Sequence, residues 1–223
     1  MNTAQQVAKM LLEIKAVTLS PKTPYKFVSG MYSPIYTDNR LLMGYPVKRK
    51  EITGYMANLM REKNLHPQII AGTSTAGIPP AAWLAELLNL PMIYVRGNLK
   101  DHGKGKQVEG VMKKEAKVLL IEDLITTGKS SLAAIDAIRA EGGKVDTCLA
   151  FLDYGFEEAK QAYQQKKVTL HTLTSFEELV NMAVEMGLLR LSEKELVLNW
   201  QKDPWAWTEK VKLTQEGQSV DYS

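Results

Sequence analysis

The stretch Lys117-Val118-Leu119-Leu120-Ile121-Glu122-Asp123-Leu124-Ile125-Thr126-Thr127-Gly128-Lys129-Ser130-Ser131 decides the fold. Its opening run of branched apolar residues is the pattern of a strand buried on both faces, which is the habit of parallel sheets. Two adjacent carboxylates close that run. Hydroxyl residues around a glycine follow, and then Leu132-Ala133-Ala134-Ile135-Asp136-Ala137-Ile138-Arg139, whose apolar spacing is helical. A strand that ends in acids and hands over to a helix places those acids where open α/β sheets bind ligands. The intervening loop offers backbone N–H groups and hydroxyls at a helix N-terminus, which suits a phosphate. Acids beside a phosphate cradle fit a sugar phosphate, with its hydroxyls or an accompanying Mg²⁺. Paired acids at a strand end are costly to place without a use. The Gly128-Lys129-Ser130 triplet is not a Walker A loop, because no glycine stands upstream at the required spacing.

Outward from this segment, strands and helices alternate. Strands are predicted over residues 68–71, 91–96, 117–121, 145–152 and 168–173, and helices over 46–63, 78–88, 131–140 and 156–165. Alternation of this kind predicts a doubly wound, mainly parallel sheet flanked by helices, of class α/β. Residues 1–15 read as an amphipathic helix. Residues 24–40 carry Tyr25, Phe27, Tyr32 and Tyr36 among glycine and proline, which suggests short strands. Ser175-Phe176-Glu177-Glu178 is a capping-box pattern that opens a further helix through Met186. The indole-rich tail around Trp200, Trp205 and Trp207 is expected to pack on the domain as a C-terminal appendage. The whole of 1–223 is thus expected to be one domain: helix and hood over 1–45, core sheet over 65–175, helical appendage over 175–223.

Composition narrows the class. Of 223 residues, 45% are hydrophobic and 24% charged, as in an ordinary globular protein. A net charge of +3 does not call for nucleic acid. Cys148 is the sole cysteine and lies in an apolar run, so it is expected to be a buried thiol in a reducing compartment. No apolar run is long enough to span a bilayer, and the N-terminus lacks the layout of a signal peptide. A cytoplasmic location without membrane attachment is the expectation.

Two further segments carry chemistry. Gly72-Thr73-Ser74-Thr75-Ala76-Gly77 lies between a predicted strand and a helix, and its small residues let backbone N–H groups approach an anion. Between Arg96 and Gly110, four glycines forbid regular structure, while Arg96, Lys100, His102, Lys104 and Lys106 concentrate cationic character. A cationic loop beside a polyphosphate site reads as a lid.

These three segments, with Ser29-Gly30-Met31-Tyr32-Ser33-Pro34-Ile35-Tyr36, Asp38-Asn39-Arg40 and Tyr154-Gly155-Phe156, resemble the orotate phosphoribosyltransferases, a family with the type I phosphoribosyltransferase fold. The resemblance implies transfer of a phosphoribosyl group from phosphoribosyl pyrophosphate (PRPP) to orotate, giving orotidine 5′-monophosphate and pyrophosphate, in UMP biosynthesis. It implies Mg²⁺ carried by PRPP, with Asp123 the nearest candidate for direct ligation. Arg96, Lys100 and His102 match lid residues that contact pyrophosphate, Lys100 being the principal catalytic one. Glu122 and Asp123 match the acids that hold the ribose. Leu124, Ile125, Thr126, Thr127, Gly128, Lys129 and Ser130 complete the PRPP site, and Thr126 also matches a contact to orotate. A homodimer is implied, in which each lid serves the neighbouring site.

The chain departs from the commoner family pattern. Val28, Ala76 and Gly97 stand where lysines are usual, and Met31 where a basic residue is common. Lys26, two residues before Val28, would share its face on a strand. Tyr154 stands where an arginine pairs with the orotate carboxylate, so Arg40 and backbone N–H groups near Tyr36 and Thr37 become the candidates for that carboxylate. Rival readings are a phosphoribosyltransferase for uracil or a purine, against which the lid pattern argues, and a non-catalytic RNA or nucleotide binder, which would have lost lid residues.

Overall fold

The computed structural model describes residues 1–27, 29–97 and 106–218, with side chains through Leu213. Helix α1 (Thr3–Glu13) opens on a capping box between Asn2 and Gln5 and buries Val7, Ala8, Leu11 and Leu12. Four short strands follow: β1 (Val17–Leu19), β2 (Tyr25–Lys26), β3 (Tyr32–Ser33) and β4 (Ile35–Thr37). The pairs β1–β4 and β2–β3 are antiparallel, and together they form a hood. A 3₁₀ segment over Asn39–Gly44, which the sequence pattern does not announce, leads into α2 (Pro46–Glu62).

The core then alternates: β5 (Ile69–Thr73), α3 (Ile78–Leu88), β6 (Met92–Val95), β7 (Val108–Glu109), β8 (Lys117–Ile125), α4 (Lys129–Ala140), β9 (Lys144–Asp153), α5 (Glu157–Gln165) and β10 (Thr169–Ser175). The sheet order is β10-β9-β8-β5-β6-β7, parallel throughout except for the β6–β7 pair. From β5 the chain steps to β6 on one side, then returns to β8 on the other. The order therefore reverses between β5 and β8, and ligands of open α/β sheets bind at the carboxyl ends beside such a reversal. Strand β5 is buried at every residue and β8 from Val118 to Glu122, so each is covered on both faces as a central parallel strand requires.

Helices α6 (Phe176–Glu185), α7 (Leu191–Lys202) and α8 (Pro204–Gln218) finish the chain. The Ser175 hydroxyl accepts from the Glu178 N–H at 3.3 Å and so caps α6. Trp200 and Trp207 join the same hydrophobic cluster as Val7, Leu11, Phe151 and Phe176. Cys148 is fully buried on the opposite face of the sheet. Among the described residues no helix is long and apolar enough to cross a membrane.

Candidate active site

Strand β8 runs four residues further than its apolar pattern predicts, through both acids to Ile125. Register with β9 holds the extension, since Glu122 pairs with Ala150 and Ile125 with Asp153. The consequence is a short, tightly determined turn. Only Thr126, Thr127 and Gly128 separate β8 from α4, and α4 begins at Lys129 rather than Ser131. Gly128 sits at φ +75°, and a Cβ there would come within 2.9 Å of the Tyr163 ring. Glycine alone meets both demands. The free N–H groups of α4 thereby open on the crevice beside the acids.

Beneath the turn lies a buried hydroxyl network. Ser131 Oγ donates to the Gly128 carbonyl at 2.9 Å and lies 2.7 Å from the Tyr163 hydroxyl, which donates to Cys148 Sγ at 3.5 Å. Burial pushes the Cys148 thiol up to about 12, so it stays protonated. No motif of the sequence marks Tyr163, because its role depends on α5 lying across the turn.

Glu122 is 5% exposed and Asp123 half-buried. Burial holds the Glu122 carboxyl well above the usual carboxylate range, and the adjacent Asp123 charge adds to that. Burial also raises Asp123, although hydrogen bonds to its charged form offset part of the effect. Glu122 is the member that keeps a proton longest. Its carboxylate accepts from the Asp123 N–H at 3.2 Å and faces the Ser130 hydroxyl at 3.5 Å. Ser130 itself is exposed at the crevice, as is Thr126. Lys129 directs its ammonium to Glu158 on α5, 3.7 Å away, so its backbone rather than its charge faces the cradle. Ile125 is buried and Leu124 half-buried, which leaves their backbone as what they offer a ligand.

The loop after β5 lies directly beside these groups. Gly72 and Gly77 are both forced by close packing, since a Cβ on Gly77 would sit 2.6 Å from the Ile121 carbonyl and one on Gly72 2.8 Å from the Gly77 carbonyl. The Ser74–Thr75 peptide is cis. Thr73 Oγ1 is buried without a hydrogen-bond partner among the described residues, close to Glu122.

The hood reaches the same crevice. Asn39, 3% exposed, donates from Nδ2 to the Asp123 carbonyl at 2.9 Å. Asn39 belongs to the Asp38-Asn39-Arg40 motif, but nothing local to that motif marks it as a tie to the acids. Tyr36 is 44% exposed, with its ring 5.5 Å from that of Tyr25. Thr37 Oγ1 lies 2.9 Å from the Tyr154 hydroxyl. Arg40 is engaged by its near neighbour, donating from Nε and Nη2 to Asp38 at 2.6 and 2.9 Å. It also lies within the field of Asp123 and Tyr36. Lys26 holds its ammonium 5.7 Å from the centre of the Tyr32 ring. Tyr154 is 2% exposed and packed edge-on against Phe156, Phe176 and Trp200, so the position reads as aromatic core with a single polar tip.

Arg96 stands at the end of β6, where its N–H donates to the Gln107 carbonyl at 3.0 Å and its guanidinium lies 3.4 Å from Glu109. Pairing of β6 with β7 closes the base of the excursion between them. From sequence all of 97–110 reads as loop, because a two-residue edge strand carries too little pattern to be seen. Lys100, His102 and Lys104 lie outside the described residues, as does Val28.

The β8–α4 turn, the acidic pair and the loop after β5 thus converge at one switch point. The family model for the phosphoribosyl transferase domain matches residues 46–184. The chain belongs to the phosphoribosyltransferase family. Across 207 residues it is 48% identical to orotate phosphoribosyltransferase of Coxiella burnetii, covering 93% of this chain and 99% of that one. The enzyme of the same name from Listeria innocua is 43% identical over 207 residues, with the same shares covered. The crystal structure of orotate phosphoribosyltransferase from Aeropyrum pernix superposes with a TM-score of 0.71 at 29% identity, covering 81% of this chain and 98% of that one. The family model leaves out the hood strands β1 to β4 and helices α7 and α8.

Proposed function

We propose that the chain is an orotate phosphoribosyltransferase: it transfers the 5-phosphoribosyl group from PRPP to orotate, yielding orotidine 5′-monophosphate and pyrophosphate. The observation that carries this reading is the passage of β8 through Glu122 and Asp123 into the left-handed Gly128 and the N-terminus of α4, with Asn39 of the hood tied to the Asp123 carbonyl.

The site divides by chemistry. Backbone N–H groups and hydroxyls of Thr126, Thr127, Gly128, Lys129 and Ser130 take the 5-phosphate. Glu122 and Asp123 take the ribose hydroxyls, Glu122 through a carboxyl that burial holds above the usual carboxylate range. Thr75 and Ala76 offer backbone N–H groups to pyrophosphate, the Ser74 N–H being held by the Val95 carbonyl at 2.9 Å, and Arg96, Lys100 and His102 bring positive charge to the same oxygens. As the C1–O bond to pyrophosphate breaks, C1 gains oxocarbenium character and the leaving oxygens gain charge; N1 of orotate bonds to C1, and its proton passes to the departing pyrophosphate. Cations held against the leaving group act where that charge develops. Tyr36 presents an exposed ring against which the pyrimidine stacks, while Thr126, Thr37 and Arg40 line the acceptor side. Arg40 serves the orotate carboxylate by exchanging its exposed pairing with Asp38 for one with substrate.

Mg²⁺ fits the donor set. Carboxylate oxygens are hard ligands, and the half-buried Asp123 is the one open to a cation that arrives on the polyphosphate. When bound, Mg²⁺ supplies positive charge to the pyrophosphate oxygens.

The chain acts as one phosphoribosyltransferase unit over 1–223 and as a homodimer in which the segment around Lys100 and His102 serves the neighbouring site. A run of exposed apolar side chains beside the hood, Leu41, Met43, Tyr45 and Val47, supports association of two copies there. A single buried cysteine supports a reducing, cytoplasmic setting. The test is depletion of orotate absorbance with PRPP and Mg²⁺, run in parallel with uracil, hypoxanthine and adenine. Consumption of orotate alone is expected; turnover of another base in its place would overturn the reading.

A further inference from the structure

Helices α7 and α8 grip two chain segments, the hood and the turn after β9. The first is the hood at Tyr32. Its N–H donates to Thr208 Oγ1 at 3.0 Å, and its carbonyl accepts from Trp200 Nε1 at 3.0 Å. Thr208 and Trp200 are both wholly buried, and the Thr208 hydroxyl donates to the Pro204 carbonyl at 2.7 Å. The second is the turn after β9. Gln201 donates to the Tyr154 carbonyl, and the Trp200 ring stands 5.6 Å from that of Tyr154 at 79°. Gly155, at φ +72°, leaves room for the Gln201 amide, which a Cβ would meet at 2.8 Å. The two gripped segments then meet each other through the Thr37–Tyr154 hydroxyl pair. Tyr32, Thr37, Tyr154 and α7–α8 form a closed loop of contacts, one corner of which is the hood strand that carries Tyr36.

We infer that Trp200 and Thr208 are positioning residues for the acceptor base: they set the distance of the hood from the sugar-phosphate half of the site and so govern orotate binding without touching it. The inference rests on the orotate reading of the site. Its physical basis is that the two halves are held differently. The 5-phosphate turn is fixed within the core by β8 register and the Tyr163 network. The hood has only short two- and three-residue strands of its own, which are marginal without support. Buried, hydrogen-bonded polar contacts supply that support.

The test compares Thr208→Val, Thr208→Ser, Trp200→Phe and Tyr154→Phe with the unaltered chain, each first checked for cooperative unfolding. Losing one partner of a buried hydrogen bond is expected to raise KM for orotate about tenfold in Thr208→Val, Trp200→Phe and Tyr154→Phe. KM for PRPP is expected to stay within about twofold, and Thr208→Ser is expected to restore the orotate value. A parallel rise in both constants, no change in either, or failure of a folded Thr208→Ser to recover overturns the inference. Should Thr208→Val not fold, the Tyr154→Phe and Trp200→Phe constants decide it by the same criterion. An unaltered chain that consumes no orotate sinks the functional reading instead, and the same split is then measured with the base it does consume.

Discussion

At the scale of single residues, the acidic pair carries most of the chemistry in the proposed reaction. Glu122 and Asp123 are neighbours in sequence, yet their surroundings differ, one enclosed and one open to the crevice. The two carboxyls nonetheless stay close enough to interact directly, so their titrations are linked. Burial raises the folded-state pKa of Glu122, so the sign of its pH effect follows. In acid both folded and unfolded chains hold the proton, and the group is neutral to stability. As pH rises past the ordinary carboxylate range the unfolded chain releases its proton first, and stability falls until the folded pKa is passed. Glu122→Gln is therefore expected to unfold at a higher temperature than the unaltered chain at pH 8, at about 2–4 °C for each kcal/mol recovered, with no difference at pH 4. Thermal melts at the two pH values check this; equal shifts at both would show that packing, not ionisation, is responsible. Asp123→Asn is expected to lower kcat/KM by about two to three powers of ten with little change in melting temperature, measured by orotate depletion.

At the scale of elements, the strand–turn–helix unit is the most determined part of the molecule. Its sequence announces a strand, acids and a cradle, because a run of branched apolar residues and a glycine flanked by hydroxyls are local signals. The four-residue extension of β8 is not legible there, since Glu122 and Asp123 are poor strand formers held in place by pairing with β9. Likewise Ser131 looks like a mere helix start, and only α5 lying across the turn makes it a link to Tyr163. Gly128→Ala is expected to cost about 1–3 kcal/mol, because an alanine meets both the left-handed φ and the Tyr163 ring. The loss should appear in urea unfolding, together with a weaker Kd for PRPP. Retention of both values would mean that the turn relaxes freely and that the cradle is not preformed. Gly54, where an added Cβ would meet nothing within 4 Å and the setting is an ordinary helix, is a control at which alanine is expected to be neutral or slightly stabilising.

At the scale of the whole molecule, the two halves of the site are built by different means. In the proposed site the parallel sheet supplies the sugar-phosphate half at its switch point, and the hood, held by α7 and α8, supplies the other. Sedimentation is expected to give a mass near twice the 25.0 kDa of one chain, and Met43→Glu with Val47→Glu is expected to shift it toward the monomer. A monomer for the unaltered chain would leave the cationic segment to serve its own site.

The sequence by itself determined the α/β class, the succession of strands and helices, the acidic pair, the glycine cradle and the cationic segment after Arg96. Each of these is a local pattern of apolar spacing or of residue types with restricted conformations. Tertiary structure alone decided that Tyr154 is core with its hydroxyl on Thr37, that Asn39 reaches the Asp123 carbonyl, that Arg40 pairs with Asp38, and that Trp200 and Thr208 hold Tyr32. Those contacts join residues as far as 176 positions apart, and no spacing along a chain encodes which distant polar groups burial will force to satisfy one another.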